Sequence, residues 1–254
     1  MGNVQKHETI LLKELNVQKV LSIETAMKLL QVSESTVRRL FVMMEDKGVC
    51  VRNSGCIRLL NNDFTNIYVY EHMESANISE KTIIAQKALE CIKPGDILFL
   101  DAGTTLAKLS IKIAQAIQEK KLSDITIFTN SLVNFNILKD YGVVNLIGGE
   151  YRENRKDFYG AVTEMIIKNV CFSKCFIGTD GYSKSKGFIA SDFISASILK
   201  NVIESSELCY LLADADKFGK TSGMRFAGKE EITAVITNDT AAVGAVSGKG
   251  LTIL

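Results

Sequence analysis

Five short polar motifs between residues 101 and 217 carry the side chains whose types and spacing suggest chemistry. Each follows an apolar stretch, and they read Asp101-Ala102-Gly103-Thr104-Thr105, Thr129-Asn130-Ser131, Gly148-Gly149, Gly178-Thr179-Asp180-Gly181 and Asp214-Ala215-Asp216-Lys217. Together they offer backbone N–H groups, hydroxyls, an amide, carboxylates and an amine. This mixture is suited to holding a small, hydroxyl-rich anion such as a phosphorylated sugar.

The Gly-Thr-Thr motif is the strongest candidate for contacting an anion. Gly103 lets the backbone approach a ligand closely, and a helix start offers free N–H groups and the positive end of the helix dipole. Thr104 and Thr105 add two hydroxyls. Arg152 and Lys217 are the cations expected to neutralise a phosphate.

Side chains suited to sugar hydroxyls come from the other motifs, namely Asn130, Ser131 and Asp180. Each motif by itself also has a plainer interpretation. Gly-Thr-Thr can be an ordinary helix start, Asp180-Gly181 a turn and Lys217 a solvated loop lysine. The motifs therefore form one site only if the fold brings them together.

The pattern around these motifs predicts such a fold. From Ser79 onward, short apolar runs alternate with helical patterns over 80–92, 104–117, a segment ending at 138, and 193–205. The predicted strands lie at 97–100, 125–128, 143–147, 175–177, 209–212, 234–236 and 251–254. This alternation is typical of a mostly parallel sheet covered by helices. Ligands of such sheets bind beyond the carboxyl ends of the strands, where these motifs lie.

The first sixty residues follow a different pattern. Helical patterns cover 7–15, 23–30 and 34–47, and two short strand patterns at 49–52 and 56–59 flank a turn. Ser33 is placed to cap the third helix and Gly48 to end it. The order of elements predicts a winged helix-turn-helix, whose third helix enters the major groove of DNA.

The third helix has one apolar stripe and one polar face. The polar face begins with Ser35 and Thr36 and continues with Arg38 and Arg39. Hydroxyls and arginines in this position suit phosphate and base-edge contacts. The periodicity equally fits a plain helical hairpin with a solvated charged face. The predicted DNA contacts are Ser33, Ser35, Thr36, Arg38, Arg39, Arg52 and Arg58.

Composition limits the class of protein. Apolar residues make up 46% of the chain and charged residues 23%, as in ordinary globular domains. Residues 1–60 carry nine Lys and Arg against six Asp and Glu, whereas the remainder carries 21 against 23. A basic head favours a nucleic-acid partner. Because no long apolar run or secretory leader is evident, we expect a cytoplasmic protein without a membrane partner.

Six cysteines are present without any CxxC pair. We expect reduced thiols and neither a metal nor a cofactor. A redox sensor built on Cys171 and Cys175 is a weaker alternative, because nothing nearby would stabilise a thiolate.

The head resembles a known family. The run Ser33-Glu34-Ser35-Thr36-Val37-Arg38-Arg39, followed by Met44-Glu45 and Gly48, resembles the helix-turn-helix signature of DeoR-family regulators. Two positions depart from it. Leu40 replaces the Asp that usually follows the arginine pair, and Asn53-Ser54-Gly55-Cys56 replaces the His-Gly-Gly-Ala wing tip.

The rest of the chain resembles the same family. Its sensor domains carry LDxGTT, TNSL, GG, GxDG and SSKFG motifs in this order. The chain has Leu100 through Thr105, Thr129 through Leu132, Gly148-Gly149, Gly178 through Gly181, and Asp216-Lys217-Phe218-Gly219, with Ala215-Asp216 in place of the two serines. The resemblance implies a sensor domain similar to ribose-5-phosphate isomerase.

The resemblance implies a transcription regulator, by family default a repressor of a carbohydrate operon that a phosphorylated sugar relieves. Its partners would be a double-stranded DNA operator and the sugar. The implied effector site comprises Asp101, Gly103, Thr104, Thr105, Thr129, Asn130, Ser131, Gly148, Gly149, Arg152, Asp180, Gly181 and Lys217. Because operators are usually read two-fold, a homodimer or homotetramer is expected.

We expect three parts: a DNA-binding domain over 1–60, a linker over 61–78 and an effector-sensing α/β domain over 79–254. The main alternative function is a sugar-phosphate isomerase-like enzyme. Isomerisation needs a general base and groups that stabilise an enediolate. Asp180-Gly181 is followed by Tyr182-Ser183-Lys184 rather than by further carboxylates, which favours binding over turnover.

Overall fold

A computed structural model describes residues 3–18, 20–47, 49–53, 55–59, 68, 70–248 and 250–254. The chain divides into two compact units, Met1–Ile67 and Tyr68–Leu254. Among the described residues, no helix combines the length and apolar character needed to cross a membrane.

The first unit contains three helices and a small sheet. The helices are α1 (Asn3–Gln18), α2 (Ile23–Leu30) and α3 (Glu34–Asp46), and the strands are β1 (Val20–Ser22), β2 (Cys50–Asn53) and β3 (Cys56–Leu59). The Ser22 hydroxyl caps α2 by accepting from the Thr25 N–H at 3.1 Å. The predicted hairpin of β2 and β3 is present, and β1 adds to its β3 edge as a third strand. Gly48 and Ser54 lie outside the described residues.

The core of the first unit consists of the predicted apolar stripes. Val37 and Met44 of α3 are fully buried against Leu11 and Leu15 of α1 in one cluster. Leu40, which replaces a polar residue of the family signature, is also buried there. Burying leucine at this position adds apolar stabilisation of about 1.5–3 kcal/mol relative to leaving it exposed.

The second unit is built on a six-stranded sheet in which every neighbouring pair is parallel. The strands are β4 (Ile97–Leu100), β5 (Thr126–Thr129), β6 (Val143–Leu146), β9 (Phe172–Gly178), β12 (Ser206–Leu212) and β14 (Ala234–Ile236). Their order is β14-β12-β9-β4-β5-β6. The chain therefore proceeds outward on one side from β4 and on the other from β9, so a topological switch point lies between these two strands.

Two apolar cores cover the two faces of this sheet. Neighbouring residues Leu98 and Phe99 of β4 belong to different cores, as expected for strands buried on both sides. One face is covered by α5 (Ile78–Leu89), α6 (Thr104–Gln118) and α7 (Leu132–Leu138). The other face packs against α8 (Ala161–Lys168), α9 (Phe193–Glu204), α10 (Thr240–Ser247) and a three-stranded sheet of β10 (Gly181–Ser183), β11 (Gly187–Ala190) and β13 (Met224–Ala227).

Several elements were not predicted. They are α4 (Tyr70–Ser75), the hairpin of β7 (Glu150–Arg152) and β8 (Asp157–Tyr159), the three-stranded sheet, α8 and α10. The predicted strand over 251–254 is reduced to a parallel bridge between Ile253 and Val235, with backbone hydrogen bonds that join 252–254 to 235–237. These elements are short, and their positions depend on tertiary contacts rather than on a periodic pattern.

Candidate functional site

A cleft of about 710 Å³, including space open to solvent, lies at the carboxyl ends of the central strands of the second unit. The residues after β4, β5, β9 and β12 all contribute to it, which is the arrangement expected at a topological switch point. Eight of the predicted effector residues line it: Asp101, Gly103, Thr104, Thr105, Asn130, Arg152, Asp180 and Lys217.

Asp101 joins the two strands at the switch point. Its backbone N–H donates to the Phe176 carbonyl at 3.0 Å, and its carboxylate accepts from the Gly178 N–H at 3.2 Å. Burial raises the pKa of Asp101 to about 7, while the backbone hydrogen bond from Gly178 acts in the opposite direction. The carboxyl therefore exchanges its proton near neutral pH, although part of the residue remains exposed at the cleft.

The start of α6 forms one wall. Gly103 precedes the helix, and Thr104 is its first residue. A methyl group added at Gly103 would meet only a Leu106 side-chain carbon at 3.6 Å. The surrounding atoms therefore leave room for a Cβ atom at Gly103, and close approach of a ligand at this position stays a prediction.

Asn130 lines the cleft and has an unused hydrogen-bond acceptor. Its side-chain nitrogen donates to the Phe158 carbonyl at 3.0 Å. Its side-chain oxygen has no hydrogen-bond partner among the described residues, and the residue is only 1% exposed. A buried acceptor without a partner costs free energy unless a ligand or water donates to it. The atom is thus suited to receive a ligand hydroxyl.

Thr129 and Ser131 flank Asn130 but are not part of the cleft lining. The Thr129 hydroxyl donates to the Leu100 carbonyl at 2.6 Å and joins β5 to β4. The Ser131 hydroxyl caps α7 by accepting from the Asn134 N–H at 3.2 Å. Both side chains therefore hold Asn130 in position, and their direct contact with a ligand stays a prediction.

Gly148, Gly149 and Gly181 also lie outside the cleft lining. A methyl group at Gly149 would approach the Tyr159 carbonyl oxygen to 2.3 Å, and one at Gly181 would approach the Lys220 carbonyl oxygen to 2.8 Å. Close backbone packing thus explains these two glycines. A methyl group at Gly148 would meet nothing within 4 Å.

Arg152 is held by carboxylates. It donates to both carboxylate oxygens of Asp157, at 2.8 and 2.6 Å, and forms an ion pair with Asp192 at 3.2 Å. Bidentate pairs of this kind fix the guanidinium rigidly. Arg152 therefore organises the hairpin of β7 and β8 at the cleft and is less available to a phosphate than the sequence suggested.

Arg155 is a cleft residue that the sequence analysis missed. It pairs with Asp180 at 3.4 Å and Asp192 at 3.3 Å, and it donates to the Ser191 hydroxyl. The Asp180 carboxylate also accepts from the Ser191 N–H at 2.7 Å. The guanidinium carbon of Arg155 lies 4.4 Å from the ring centre of Tyr68. At this end of the cleft, Asp157, Asp180 and Asp192 surround Arg152 and Arg155. Because the carboxylates outnumber the guanidinium groups, carboxylate oxygens remain to accept hydrogen bonds from ligand hydroxyls.

At the other end of the cleft, around Lys81 and Lys217, positive charge dominates. Lys81, also missed by the sequence analysis, is 2% exposed and donates to the carbonyls of Met73 and Ala76. Burial lowers the pKa of Lys81, Asp214 acts against this, and Lys217 lowers it further. Lys81, Lys217 and Lys108 outnumber the carboxylates Asp214 and Glu74 around Lys81, and this excess of positive charge favours an added anion at this end of the cleft.

The sequence offered little signal for Lys81, Arg155 or Tyr68, because none of them belongs to a Gly-rich or hydroxyl-rich motif. Lys81 lies within a helical pattern, where a lysine is usually solvated. A possible signal for Arg155 is the cluster Arg152-Glu153-Asn154-Arg155-Lys156, whose polar density marks a loop.

The predicted DNA-contacting residues lie on the first unit. The Ser33 hydroxyl lies 3.0 Å from the hydroxyls of both Ser35 and Thr36, so the three form a polar cluster at the start of α3. Arg38 pairs with Glu34 at 2.6 Å, and Arg39 is exposed.

In the wing, Glu45 binds both the backbone N–H and the guanidinium of Arg52, at 2.8 and 2.5 Å. The Arg52 backbone N–H and guanidinium act, in that order, to lower the pKa of Glu45. The Arg58 side chain lies outside the described residues. The structure therefore places the start of α3 and Arg39 on an open surface and holds Arg52 against the end of α3.

Two family models match the chain. Residues 7–63 match the DeoR-like helix-turn-helix domain, and residues 76–239 match the DeoR C terminal sensor domain.

Curated relatives match over most of their length. The chain is 32% identical over 235 residues to a lactose phosphotransferase system repressor of Streptococcus mutans serotype c, covering 89% of this chain and 88% of the relative. It is 33% identical over 217 residues to the protein of the same name from Staphylococcus epidermidis, covering 83% and 82%. Among solved structures, ribose 5-phosphate isomerase A from Methanocaldococcus jannaschii aligns with 54% of this chain and 53% of its own, with a TM-score of 0.41 and 16% identity.

Proposed function

Because the chain belongs to the DeoR family of transcriptional regulators, we propose that it is a repressor of a carbohydrate-metabolism operon and that a phosphorylated sugar or sugar derivative relieves the repression. The observation that carries this proposal is the cleft at the carboxyl edge of the sheet, which gathers eight of the predicted effector residues. A DNA-binding unit and a small-molecule cleft in one chain are the two parts that a ligand-controlled regulator needs.

From the charge distribution of the cleft we propose an orientation for the ligand. The phosphate lies at the start of α6, where N–H groups and the helix dipole favour an anion, with Lys81 and Lys217 nearby. The sugar hydroxyls point to the acceptors of Asp180 and Asn130. The unpaired Asn130 oxygen supports this direction, because a hydroxyl can donate to it and a phosphate dianion cannot.

DNA recognition is proposed for the start of α3 and its exposed face. The cluster of Ser33, Ser35 and Thr36 suits phosphate contacts, and Arg39 is free to reach a base edge. Arg38 would first have to exchange Glu34 for DNA. The exposed pair costs little to break, since such surface pairs contribute about 0–1 kcal/mol.

A homodimer or homotetramer is part of the proposal, since a two-fold operator needs two heads. Val162 and Met165 on α8 and Phe193 at the start of α9 are large apolar residues that are 53%, 58% and 74% exposed. Such exposure on neighbouring helices suits contact between subunits. Light scattering after size-exclusion chromatography of the wild type and of Met165→Glu and Phe193→Glu tests this, and an unchanged mass would remove these helices as the interface.

The experiment that tests the effector assignment is a thermal-shift and calorimetric screen of pentose and hexose phosphates against the parent sugars. A ligand that binds only the folded state must raise the melting temperature. Lys217→Ala should weaken a phosphorylated ligand about tenfold or more, because a charge-assisted hydrogen bond is lost. It should affect the parent sugar little.

Lys220→Ala is the matched control for Lys217→Ala, since it removes the same charge from an exposed position three residues away that does not line the cleft. A ligand that binds equally well with and without its phosphate, or equal losses in both variants, would contradict the assignment.

One observation favours the enzyme alternative. A carboxyl whose pKa lies near neutral pH, as in Asp101, is suited to general acid–base catalysis. We nevertheless favour binding, because Asp180 is engaged by the Ser191 N–H and Arg155. Turnover assays with pentose and hexose phosphates decide between the two, and isomerisation that disappears in Asp101→Asn would establish the enzyme.

A further inference from the structure

The turn of residues 154–156 lies outside the sequence motifs and contacts the segment through which the chain enters the second unit. The Asn154 side chain donates a hydrogen bond to the Tyr68 carbonyl at 3.0 Å, and the Tyr70 N–H donates to the Asn154 carbonyl at 2.9 Å. The Arg155 guanidinium carbon lies 4.4 Å from the centre of the Tyr68 ring. We call these contacts the clasp.

The clasp connects two residues of the cleft lining through a residue that is not part of it. Tyr68 and Arg155 line the cleft, whereas Asn154 is exposed and lies outside the lining. Lys156 pairs with Glu71 at 3.2 Å and so ties the same turn to the first turn of α4. The position of one cleft wall therefore depends on contacts that are made outside the cleft.

Arg155 connects the clasp to a carboxylate that we assign to the sugar hydroxyls. Arg155 is 9% exposed and pairs with Asp180 at 3.4 Å and with Asp192 at 3.3 Å. The Asp180 Oδ2 atom accepts from both Arg155 and the Ser191 N–H. Because both bonds use Oδ2 and the side chain is 27% exposed, a ligand hydroxyl can donate to Oδ1 without displacing Arg155.

We infer that Asn154 is a positioning residue for the effector, which acts by holding Tyr68 and Arg155 in the cleft wall beside Asp180. This inference rests on the proposed function, because it requires a sugar phosphate whose hydroxyls lie at Asp180. It goes beyond that function by making the entry segment part of the effector site and by assigning an effect on ligand affinity to a residue outside the cleft.

Linkage makes this dependence reciprocal. If the clasped arrangement binds the ligand better than the released one, the ligand must stabilise the clasp by the same factor. The Tyr70 N–H reports the state of the clasp, because it donates to the Asn154 carbonyl and exchanges with solvent when this bond opens. We therefore expect a bound sugar phosphate to slow hydrogen exchange at the Tyr70 amide.

The test is isothermal titration calorimetry of the full chain with ribose 5-phosphate, fructose 6-phosphate and inorganic phosphate. Asn154→Ala removes the side-chain hydrogen bond to Tyr68. It should bind the sugar phosphate roughly three- to tenfold more weakly than the wild type, as expected for the loss of one hydrogen bond. Its affinity for inorganic phosphate should be unchanged, because we assign the anion to the start of α6.

Asn169→Ala is the matched control. Asn169 is also an exposed asparagine, its side chain also donates to a backbone carbonyl, that of Met165 at 2.8 Å, and it lies outside the cleft lining. Asn169→Ala should keep the affinity of the wild type for all three probes. Amide hydrogen exchange with and without the sugar phosphate should show a smaller protection of Tyr70 in Asn154→Ala than in the wild type.

The outcomes separate the two proposals. Equal affinity of Asn154→Ala and the wild type for the sugar phosphate overturns the positioning role and leaves the effector class intact. Equal losses for the sugar phosphate and inorganic phosphate also contradict that role, since they would reflect a general loosening of the cleft. If inorganic phosphate alone is too weak to measure, the Asn169→Ala comparison and the Tyr70 exchange decide.

If the wild type binds none of the three probes at millimolar concentration, the proposed effector class and this inference are both wrong. A loss confined to the sugar phosphate, together with ligand-dependent protection of the Tyr70 amide, supports the positioning role of Asn154.

Discussion

At the scale of single residues, the two arginines of α3, Arg38 and Arg39, differ in their partners. Arg38 is paired with Glu34, whereas Arg39 is exposed and, within the described part of the chain, forms no ion pair. If Arg39 reads a guanine, Arg39→Ala should weaken binding to the specific operator by about 1–3 kcal/mol and relax the preference at one base. An operator selected from a random-sequence library and titrated by fluorescence anisotropy measures both effects.

Lys28→Ala is the control for charge alone, because Lys28 is an exposed cation on α2 that pairs with Glu24. It should reduce binding to all sequences slightly and leave base preference unchanged. If Arg39→Ala keeps the affinity and the preference of the wild type, Arg39 does not read a base.

Asp101 makes stability depend on pH. Its folded pKa of about 7 lies above its ordinary value of 3.8. Between these values the folded protein holds a proton that the unfolded chain has released, so the free energy of unfolding falls as pH rises, by at most about 1.4 kcal/mol per unit. Asp101→Asn removes this proton exchange. The free energy of unfolding of Asp101→Asn should therefore increase relative to that of the wild type from pH 5 to pH 7, and the difference should stay constant above pH 8.

Urea unfolding of both proteins at pH 5, 6, 7 and 8 measures the difference directly. The difference is the informative quantity, because all other titrating groups are common to both proteins. Free energies of unfolding that stay parallel across this range would show that Asp101 is already ionised at pH 5.

At the scale of elements, the start of α6 is the part of the site that backbone geometry builds. A Cβ atom added at Gly103 would contact only one Leu106 carbon, so we expect Gly103→Val to fold normally while its bulk blocks a ligand at the helix N–H groups. We expect binding of ribose 5-phosphate to fall below detection in calorimetry while the melting temperature of the free protein stays within a few degrees.

Gly148→Val is the matched control, because Gly148 also has open space around it and lies outside the cleft lining. It should keep ligand binding. Unchanged affinity in Gly103→Val would show that the ligand does not approach this helix start.

The main helices and strands were predictable because their apolar periodicity can be read within a short stretch of sequence. α2 has the predicted limits, and β4 lies where the apolar run ends in Asp101. Because the carboxyl ends of parallel strands share one edge, the meeting of Asp101, Asn130 and Asp180 followed from the alternation of strands and helices. The same pattern could not show that Asn130, rather than its neighbours Thr129 and Ser131, lines the cleft. The position at which the strand ends decides this, and an error of one residue in that position changes which side chain faces the cleft.

The residues that the sequence did not reveal depend on long-range contacts. Arg155 reaches the cleft through the hairpin of β7 and β8, whose strands have three residues each. Tyr68 reaches it because Asn154 holds the backbone on either side of residue 69. Neither arrangement produces a periodic signal, and strands of this length are below what a hydrophobic pattern can indicate.

At the scale of the whole molecule, regulation requires that ligand binding in the second unit change the behaviour of the first. A coupling free energy of about 1–3 kcal/mol is typical of such systems. The chain itself provides one connection between the units, and it enters the second unit at Tyr68. We expect the coupling to be tested best at this entry point, by comparing operator affinity with and without the effector.

The entry segment also decides where the sensor begins, and two fragments test this. The predicted boundary at residue 79 removes Tyr68 and α4, including Tyr70, which is 4% exposed, and the carbonyls of Met73 and Ala76 that accept from Lys81. A fragment of residues 68–254 should fold alone and bind the effector without binding DNA.

A fragment of residues 79–254 should be less stable by roughly 3–5 kcal/mol, because an apolar contact and two charge-assisted hydrogen bonds are lost. Urea unfolding of both fragments measures this difference. Equal stability would show that Tyr68–Ser75 is a linker, and a molten 68–254 fragment beside a stable full chain would contradict the division into two domains.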